Sequence, residues 1–273
     1  MDLSDQDKVF AGSIPELYDS HMVPLIFEPY AADLALRLRA RSPRRVLEIA
    51  AGTGVVTREM DAVLDPGTSI VATDLNQAML DHAAARGTRR AVEWRQADAQ
   101  QLPLADASFD AVVCQFGVMF FPDKARAFAE ARRVLAPGGM LLFNAWDRIE
   151  ENEFAAVIAD ALAVLFPADP PRFMARTPHG YHDPAAIARD LAAGGFDKAA
   201  SFTLMPARSR AATARIPATA YCQGTPWRNE IEARAPGELA RVTDAAAAAI
   251  EQRFGPGPVD GKIQAHVVTI ERR

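Results

Sequence analysis

The sequence predicts an α/β protein with a doubly wound, mostly parallel sheet, and three observations lead to this fold class. Short apolar runs typical of buried strands alternate with helical patterns of about ten residues, which is the rhythm of right-handed βαβ units. The runs 112–114 and 141–143 are apolar on both faces, as central strands covered by helices require. A chain of 273 residues with 49% hydrophobic side chains can fill one large core, so we expect a single elaborated domain over residues 1–273.

The regular part of the chain contains five predicted strands with three predicted helices between them. The strands cover 45–49, 69–73, 92–96, 111–115 and 140–144. The helices, which have apolar residues at helical spacing, cover 55–62, 77–85 and 124–135. Beyond residue 144 the rhythm changes, and we expect helices at 152–166, 183–194, 227–234 and 237–253 and strands at 201–204 and 265–270.

The N-terminal segment is aromatic and apolar but interrupted by prolines. Pro15, Pro24 and Pro29 all fall within residues 14–30, so we expect short helical turns there instead of one helix. An amphipathic helix over 31–41 follows, and Ser42-Pro43 stops it.

Composition and charge narrow the possible function classes. The net charge of −5 lacks the basic balance of a general nucleic-acid binder. No window is apolar enough for a signal peptide or a membrane span, so we expect a cytoplasmic protein with no membrane partner. The two cysteines, Cys114 and Cys222, suggest neither a disulfide framework nor a zinc cluster. His179 and His182 with one nearby acid are too sparse a set for a metal, so we expect no metal site. We also expect a small-molecule substrate.

The segment 46–57 is the centre of the predicted site, because it joins a buried strand to a helix through a turn of small residues. Gly52 and Gly54 let the backbone approach a ligand closely, and the following helix points its positive end at that ligand. Asp74 ends the next strand, where a carboxylate can accept both hydroxyls of a ribose. This pattern fits NAD, FAD or S-adenosylmethionine. Thr57 stands where a dinucleotide fingerprint has its third glycine, which counts against NAD.

Three later features separate these possibilities. Asp98 follows the third strand and places a second acid beside the same cleft, where it can accept from an adenine amine. Residues 109–113 lead into the fourth strand, and residues 133–139, Arg-Val-Leu-Ala-Pro-Gly-Gly, end a helix and turn tightly into the fifth. Together with the glycine turn and Asp74, these features make the sequence resemble the class I S-adenosylmethionine-dependent methyltransferases. It looks most like the small-molecule type 11 group, which includes the ubiquinone/menaquinone-biosynthesis C-methyltransferases.

The resemblance covers residues 46–144 closely and continues more weakly through 183–204 and the last strand. It implies a Rossmann-like, seven-stranded sheet whose last strand is antiparallel, with helical inserts. It also implies S-adenosyl-L-methionine as the cofactor and S-adenosyl-L-homocysteine as the product. We therefore divide the single domain into an N-terminal lid at 1–30, a cofactor-binding core at 43–146, and substrate-side inserts at 147–182 and 206–260.

The same resemblance implies which residues form the cofactor site. The methionine end of the cofactor would be lined by Glu48, Ala50, Gly52, Thr53 and Gly54. The ribose and adenine would be held by Asp74, Leu75, Met79, Asp98 and Ala99, and the reacting sulfonium would lie near Gln115. Ala50 departs from the family pattern, which has glycine there. A methyl group fits at this position if the backbone keeps a negative φ, and otherwise could shift the cofactor slightly.

The function implied is methyl transfer to a small, apolar or aromatic acceptor by direct in-line displacement. An activated sulfonium requires positioning and a dry site more than acid–base groups. His21 is the candidate catalytic base for an oxygen or nitrogen acceptor, the alternative being a surface or lid-packing role. Tyr18 is the lid residue expected nearest the cofactor, the alternative being that the N-terminal aromatic residues form ordinary core.

Two other functions are compatible with parts of the pattern. A nicotinamide-dependent oxidoreductase would need a Tyr-x-x-x-Lys or comparable pair after the fourth strand, and residues 115–121 contain none. A non-catalytic protein that binds S-adenosylmethionine or S-adenosylhomocysteine would keep the cofactor residues and lack a substrate cavity.

Overall fold

The structure, a computed structural model, describes residues 14–273 and divides into two compact units. The α/β unit comprises Pro29–Ala145, Tyr181–Met205 and His266–Arg273. The helical unit comprises the described part of Met1–Glu28 together with Trp146–Gly180 and Pro206–Ala265. Residues 1–13 of the predicted lid lie outside the described residues, and the assignment of lid, core and inserts stays a prediction.

Seven strands form one mixed sheet. They are β1 (Arg45–Ile49), β2 (Ser69–Asp74), β3 (Val92–Gln96), β4 (Phe109–Gln115), β5 (Leu135–Trp146), β6 (Ser201–Ala211) and β7 (Val259–Glu271). Their order is β3-β2-β1-β4-β5-β7-β6, and β1 to β5 pair with their neighbours in parallel. The amide of Gly138 donates to the carbonyl of Arg272, and the amide of Arg272 donates to that of Gly139, both at 2.8 Å. The start of β5 thus pairs with the end of β7, which confirms the predicted seven-stranded sheet with an antiparallel last strand.

The first four strands begin and end within two residues of their predicted bounds, whereas the outer strands are longer than predicted. The prediction of a strand at 201–204 was too short, because β6 continues to Ala211. β6 lies at the edge of the sheet, so half of its backbone has no strand partner and its side chains need not be apolar. Arg208 and Arg210 extend from it and both pair with Asp260 of β7, at 2.7 and 3.1 Å. Charged side chains of this kind prevent an edge strand from pairing with other chains. They also interrupt the hydrophobic pattern from which a strand is predicted.

The described part of the chain contains eleven α-helices and one π-helix. Their bounds are α1 (Ile14–Leu17), the π-helix Tyr18–Phe27, α2 (Glu28–Arg39), α3 (Val55–Val63), α4 (Gln77–Arg86), α5 (Lys124–Val134), α6 (Glu153–Leu165), α7 (Phe173–Arg176), α8 (Pro184–Ala193), α9 (Arg215–Gln223), α10 (Trp227–Arg234) and α11 (Leu239–Phe254). Short 3₁₀ turns cover Val118–Phe120 and Ile149–Glu151. The sequence did not predict α7 or α9.

The prediction of short, separate turns over 14–30 was wrong, because helical structure is continuous from Ile14 to Arg39. Pro24 lies inside the π-helix Tyr18–Phe27. An α-helix would place the proline ring against the carbonyl four residues earlier, and the wider π-turn displaces that carbonyl. The local widening therefore lets the chain pass a proline without ending the helix.

One face of the sheet in the α/β unit is covered by α2 and α3. Strand side chains on this face alternate along each strand and form a single buried cluster with both helices. The strands contribute Val46, Ile70, Ala111, Val113, Met140, Leu142 and Val267, and the helices contribute Ala31, Leu34, Ala35, Leu38, Val56 and Met60. The cluster extends along the strands to the residues just before their carboxyl ends. The side chains that come next on the same face therefore lie at the carboxyl edge of the sheet.

The helical unit has its own core and its own buried ion pair. Trp227, Tyr221 and Phe154 are almost completely buried in it. Glu230 is buried and accepts the backbone amides that begin α7, those of residues 172 and 173, while its other oxygen accepts from Arg176 at 2.9 Å. Among residues 14–273, no helix combines the length and apolarity needed to cross a bilayer.

Arg90 joins the C-terminal end of α3 to the segment before β3. Its guanidinium donates at 2.8–3.1 Å to the carboxylate and carbonyl of Asp61 and to the carbonyls of Leu64, Asp65 and Thr68. The Arg90 and Asp61 side chains are 15% and 5% exposed, so solvent screens this ion pair weakly. One side chain thus satisfies several carbonyls that the end of a helix leaves without donors.

Replacing Arg90 with alanine should lower the free energy of unfolding by about 3 kcal/mol, because a buried carboxylate loses its cation. Lysine should restore only part of this, since a single ammonium cannot reach all of the acceptors. Arg95 provides the control. It forms a largely exposed pair with Glu93, and its replacement by alanine should cost under about 1 kcal/mol. Urea unfolding measures the three variants, and equal losses for R90A and R95A would contradict the assignment.

Candidate cofactor site

The turn between β1 and α3 has three residues in the left-handed region of backbone conformation. They are Ala50 at φ 54°, Gly52 at φ 55° and Gly54 at φ 80°. A Cβ on Gly52 would meet no atom within 4 Å, so glycine is required there by the backbone alone. A Cβ on Gly54 would lie 3.0 Å from the Trp94 ring and 3.1 Å from the Ala83 methyl, so glycine is also required there by packing. The turn therefore has empty space beside Gly52, whereas side chains fill the space beside Gly54.

Ala50 does not have the negative φ at which its methyl group was expected to fit. At φ 54° an alanine carries strain that a glycine would not. The methyl group finds its space because residue 117, after β4, is a glycine. A Cβ on Gly117 would lie 2.5 Å from the Ala50 Cβ and 2.7 Å from the Cys114 Sγ. Phe116 also has a positive φ, 52°, so both neighbouring turns, after β1 and after β4, are strained.

Replacing Ala50 with glycine should raise the free energy of unfolding by about 1 kcal/mol, because the left-handed conformation then carries no Cβ penalty. Ala51 is the matched control. It is buried, has no positive φ, and should lose up to about 1 kcal/mol on the same change. Thermal or urea unfolding measures both, and destabilisation by A50G would refute the strain argument. Gly117→Ala should destabilise the wild type, and A50G should recover part of that loss.

Asp74, at the end of β2, is buried and bound to the glycine turn. One carboxylate oxygen accepts from the Gly52 amide and the other from the Asn76 amide, both at 2.8 Å. Burial raises the pKa of this carboxyl group, and the two amide hydrogen bonds act in the opposite direction. Each oxygen keeps a further lone pair, so the group can accept additional hydrogen bonds from a ligand.

Glu48, in β1, is only 1% exposed. Burial raises its pKa to about 8, while the hydroxyl of Thr57, which donates to the carboxylate, and the charge of Arg58 lower it. In the free protein this carboxyl group therefore carries a proton at neutral pH. Thr57, which the sequence offered only as a residue that counts against a dinucleotide, is the side chain that holds Glu48 in place.

Four polar side chains stand in a row at the carboxyl edge of the sheet, on the face that α2 and α3 cover. The register pairs Glu48 with Ala72 and with Val113, and Gln115 with Asn144. Because side chains two residues apart point to the same face, Asp74 (β2), Glu48 (β1), Gln115 (β4) and Asn144 (β5) share one face, with about 4.8 Å between neighbouring strands. Sequence reasoning predicted the first three and missed Asn144. Its signal was a polar residue directly after the apolar run 141–143.

The predicted adenine residues follow β2 and β3. Leu75 is 49% exposed, whereas Met79 and Ala99 are buried. Asp98 is exposed, and its carboxylate accepts the Gln100 amide at 2.8 Å, so in the free protein it caps its own turn. An exposed leucine after β2 and an exposed acid after the neighbouring β3 provide an apolar surface and a hydrogen-bond acceptor.

Two predicted residues, Tyr18 and His21, belong to the helical unit. The Tyr18 ring stacks on Phe27 with centroids 5.1 Å apart. His21 is half-buried, and its Nδ1 lies 2.8 Å from the Ser20 hydroxyl. Their proposed contacts with cofactor or acceptor stay predictions. Among residues 14–273, no cluster of three or more His, Cys, Asp or Glu is arranged to hold a metal ion.

Comparison with known proteins identifies the family. The family model Methyltransf_11, a methyltransferase domain, matches residues 47–143. A ubiquinone/menaquinone biosynthesis C-methyltransferase from Ectopseudomonas mendocina is 31% identical over 172 residues, which cover 58% of this chain and 67% of that protein. The chain belongs to the class I S-adenosylmethionine-dependent methyltransferases.

A second relative shows how far this likeness extends. The methyltransferase of the same description from Saccharophagus degradans is 34% identical over 155 residues, which cover 52% of this chain. The chain spans 61% of the length of that relative. Membership of the methyltransferase family leaves the oxidoreductase interpretation without support.

The solved structures show the fold of these methyltransferases. A phosphoethanolamine N-methyltransferase from Haemonchus contortus, in complex with phosphomonomethylethanolamine and S-adenosylhomocysteine, superposes with a TM-score of 0.60. It is 16% identical and covers 100% of this chain, which in turn covers 61% of it. At this identity the likeness shows a shared Rossmann-like fold.

The residues of this methyltransferase fit the cofactor of its family. Gly52 leaves open space beside a backbone that can approach a ligand. Thr53 is 1% exposed, and its hydroxyl oxygen has no hydrogen-bond partner among the residues that the structure describes. Asp74 retains lone pairs for hydroxyl donors. Cys114 is a core residue, since burial raises the pKa of its thiol to about 12 and leaves no thiolate at neutral pH.

Proposed function

We propose that this methyltransferase transfers the methyl group of S-adenosylmethionine to a ring carbon of a small, hydroxylated aromatic acceptor. The observation that carries the proposal is the polar row at the carboxyl edge of the sheet, which begins at Asp74 beside the glycine turn and passes through Glu48 to Gln115. The names of the relatives support carbon as the methylated atom, because both are C-methyltransferases of quinone biosynthesis. The cofactor would supply an activated methyl group on a sulfonium.

In this proposal Asp74 accepts the ribose hydroxyls, and Glu48 accepts the ammonium of the methionine portion. Leu75, Met79, Asp98 and Ala99 hold the adenine. The backbone at residues 50–54 lets the methionine portion lie close to β1. This arrangement is favoured by charge, since the buried acids would face the hydroxyl and ammonium donors of the cofactor and none of the four side chains of the row is cationic.

The helical unit contains a row of aromatic rings that pack on one another. Besides the stack of Tyr18 on Phe27, the Phe27 and Trp146 rings are 6.1 Å apart and the Trp146 and His179 rings 6.0 Å apart. The His179 ring is held by its Nδ1, which lies 2.8 Å from the carbonyl of Asp147. Rings packed in this way stabilise the core of that unit.

Methyl transfer of this kind needs no oxidant or reductant. The carbon–sulfur bond of the methyl donor would break as the bond to the ring carbon forms, the sulfonium would become a neutral sulfide, and the proton lost by the ring carbon would be released to bulk water outside the site. Positioning of the acceptor in line with the breaking bond is the main contribution required of the protein. His21 stays a predicted base for an oxygen or nitrogen acceptor, and a cytoplasmic location likewise stays a prediction.

The test is an assay for S-adenosylhomocysteine against matched panels of phenols, amines and carboxylic acids, with NMR of the product to locate the new methyl group. We expect turnover with hydroxylated rings and a new C–CH₃ group. Turnover with amines alone would overturn the acceptor class. Tight binding of S-adenosylhomocysteine by calorimetry without turnover on any panel would favour the non-catalytic alternative.

A further inference from the structure

Asn144, in the polar row, is a buried amide for which its surroundings among the described residues do not account. Its side chain is 0% exposed, and neither Oδ1 nor Nδ2 has a hydrogen-bond partner among residues 14–273. Native proteins rarely keep a buried amide in this state, because water has been removed from two polar atoms and nothing replaces it. Leucine at the same site would have continued the apolar run 141–143 without this cost. An amide kept here therefore indicates a partner that the protein itself does not provide.

The position of Asn144 in the sheet indicates which partner this is. Asp74, Glu48 and Gln115 occupy β2, β1 and β4 in that order across the sheet, and Asn144 is paired with Gln115 on the next strand, β5. With the ribose at Asp74 and the methionine portion at Glu48, the reacting methyl group lies towards Gln115. Asn144 is one strand further from the cofactor residues, about 4.8 Å beyond Gln115. This position leads us to place the acceptor, and not the cofactor, beside it.

We propose that Asn144 binds a ring hydroxyl of the acceptor, donating from Nδ2 to the oxygen or accepting the hydroxyl proton at Oδ1. This inference rests on the proposed function, and it assigns the residue that orients the ring. An amide can serve a hydroxyl or its anion, since it offers both a donor and an acceptor. The full burial of Asn144 means that the acceptor displaces covering side chains as it enters, so the bond forms in a site from which water is excluded.

The experiment compares Asn144→Leu with Asn152→Leu. Asn152 is a matched control, because it is also buried but its Oδ1 accepts from the Gln264 amide and its Nδ2 donates to the Arg148 carbonyl, both at 3.1 Å. N152L should lower the urea midpoint. N144L should leave the urea midpoint unchanged or raise it, and should change the dissociation constant of S-adenosylhomocysteine by less than about twofold, because the amide bonds to nothing in the free protein.

The binding probe is 1-naphthol added to protein saturated with S-adenosylhomocysteine, with naphthalene as the probe that lacks the hydroxyl. N144L should weaken 1-naphthol binding by about tenfold or more and leave naphthalene binding unchanged. Equal loss for both probes, no loss for 1-naphthol, or a lower urea midpoint of N144L would overturn the role of Asn144. If the wild type binds S-adenosylhomocysteine but not 1-naphthol, the phenolic acceptor and this role both fall, while cofactor-dependent methyl transfer stands.

Discussion

Replacing Asp74 with asparagine is expected to weaken the binding of S-adenosylhomocysteine by about 100-fold. The carboxylate already accepts the amides of Gly52 and Asn76 at 2.8 Å, one on each oxygen. Asparagine keeps one acceptor oxygen and places an NH₂ group against one of these two amide donors. It therefore loses the charge that strengthens bonds to ribose hydroxyls, and it also disturbs the glycine turn on which the cofactor would rest.

The control for this loss is Asp110→Asn. Asp110 also accepts two backbone amides at 2.8 Å, those of Arg44 and Arg45, but at the amino end of the strands. D110N should lose less stability to urea than D74N, because both amides bond to one oxygen of an exposed carboxylate, and an asparagine oxygen can take that place. Calorimetric titration with S-adenosylhomocysteine should find the affinity of D110N unchanged. Equal affinities for D74N and wild type would remove Asp74 from the cofactor site.

The central strands and the acids at their ends could be predicted from sequence because their signals are local. A buried parallel strand is an apolar run, and the side chain that ends it stands at the carboxyl edge whatever the rest of the fold does. Asp74 was predicted in this way, whereas Gln115 was implied by the resemblance to the methyltransferases. The same rule applies to Asn144, at the end of the run 141–143, but the sequence does not show that a side chain is buried without partners. That property depends on residues from distant segments.

The backbone conformation of Ala50, the N-terminal helix and the edge strand β6 were harder to predict from the sequence. The φ of Ala50 is set by the path from β1 into α3, and the space for its methyl group is provided by Gly117, 67 positions away in the chain. Neither fact is local. The N-terminal prolines did not end the helix. Pro15 and Pro29 lie within α-helical turns, and Pro24 lies within a π-helix, a solution that propensity rules do not anticipate. The edge strand β6 was underestimated because edges tolerate polar residues.

The affinity for S-adenosylhomocysteine is expected to rise with pH, by up to about tenfold per unit, as the pH approaches 8. Glu48 has a pKa of about 8 in the free protein, mainly because burial disfavours its charged form. An ammonium group bound beside it would favour the carboxylate and lower this pKa. Below pH 8 binding must then remove a proton from Glu48, and the free energy of that step weakens the complex. Between about pH 6.5 and 8 the dissociation constant should fall by up to about fifteenfold.

The stability of the free protein should respond to Glu48 in the opposite direction. An acid whose pKa is raised from 4.5 to about 8 holds a proton in the folded state that the unfolded chain has lost. The stability that the neutral acid gives is complete below pH 4.5 and is lost as the pH rises to about 8. Comparison of the urea midpoints of wild type and Glu48→Gln across this range isolates the effect, because other titrating groups are common to both proteins.

Two variants decide whether Glu48 is the group responsible for the pH dependence of binding. Glu48→Gln cannot titrate, so its affinity curve should lose the rise below pH 8 and keep only the titration of the ligand itself. Thr57→Val preserves shape but removes the hydroxyl that lowers the pKa of Glu48, so the rise should move to higher pH. A flat curve for E48Q together with a shifted curve for T57V would place the ammonium of the cofactor at Glu48. If neither variant changes the pH dependence of binding, the titrating group is not Glu48.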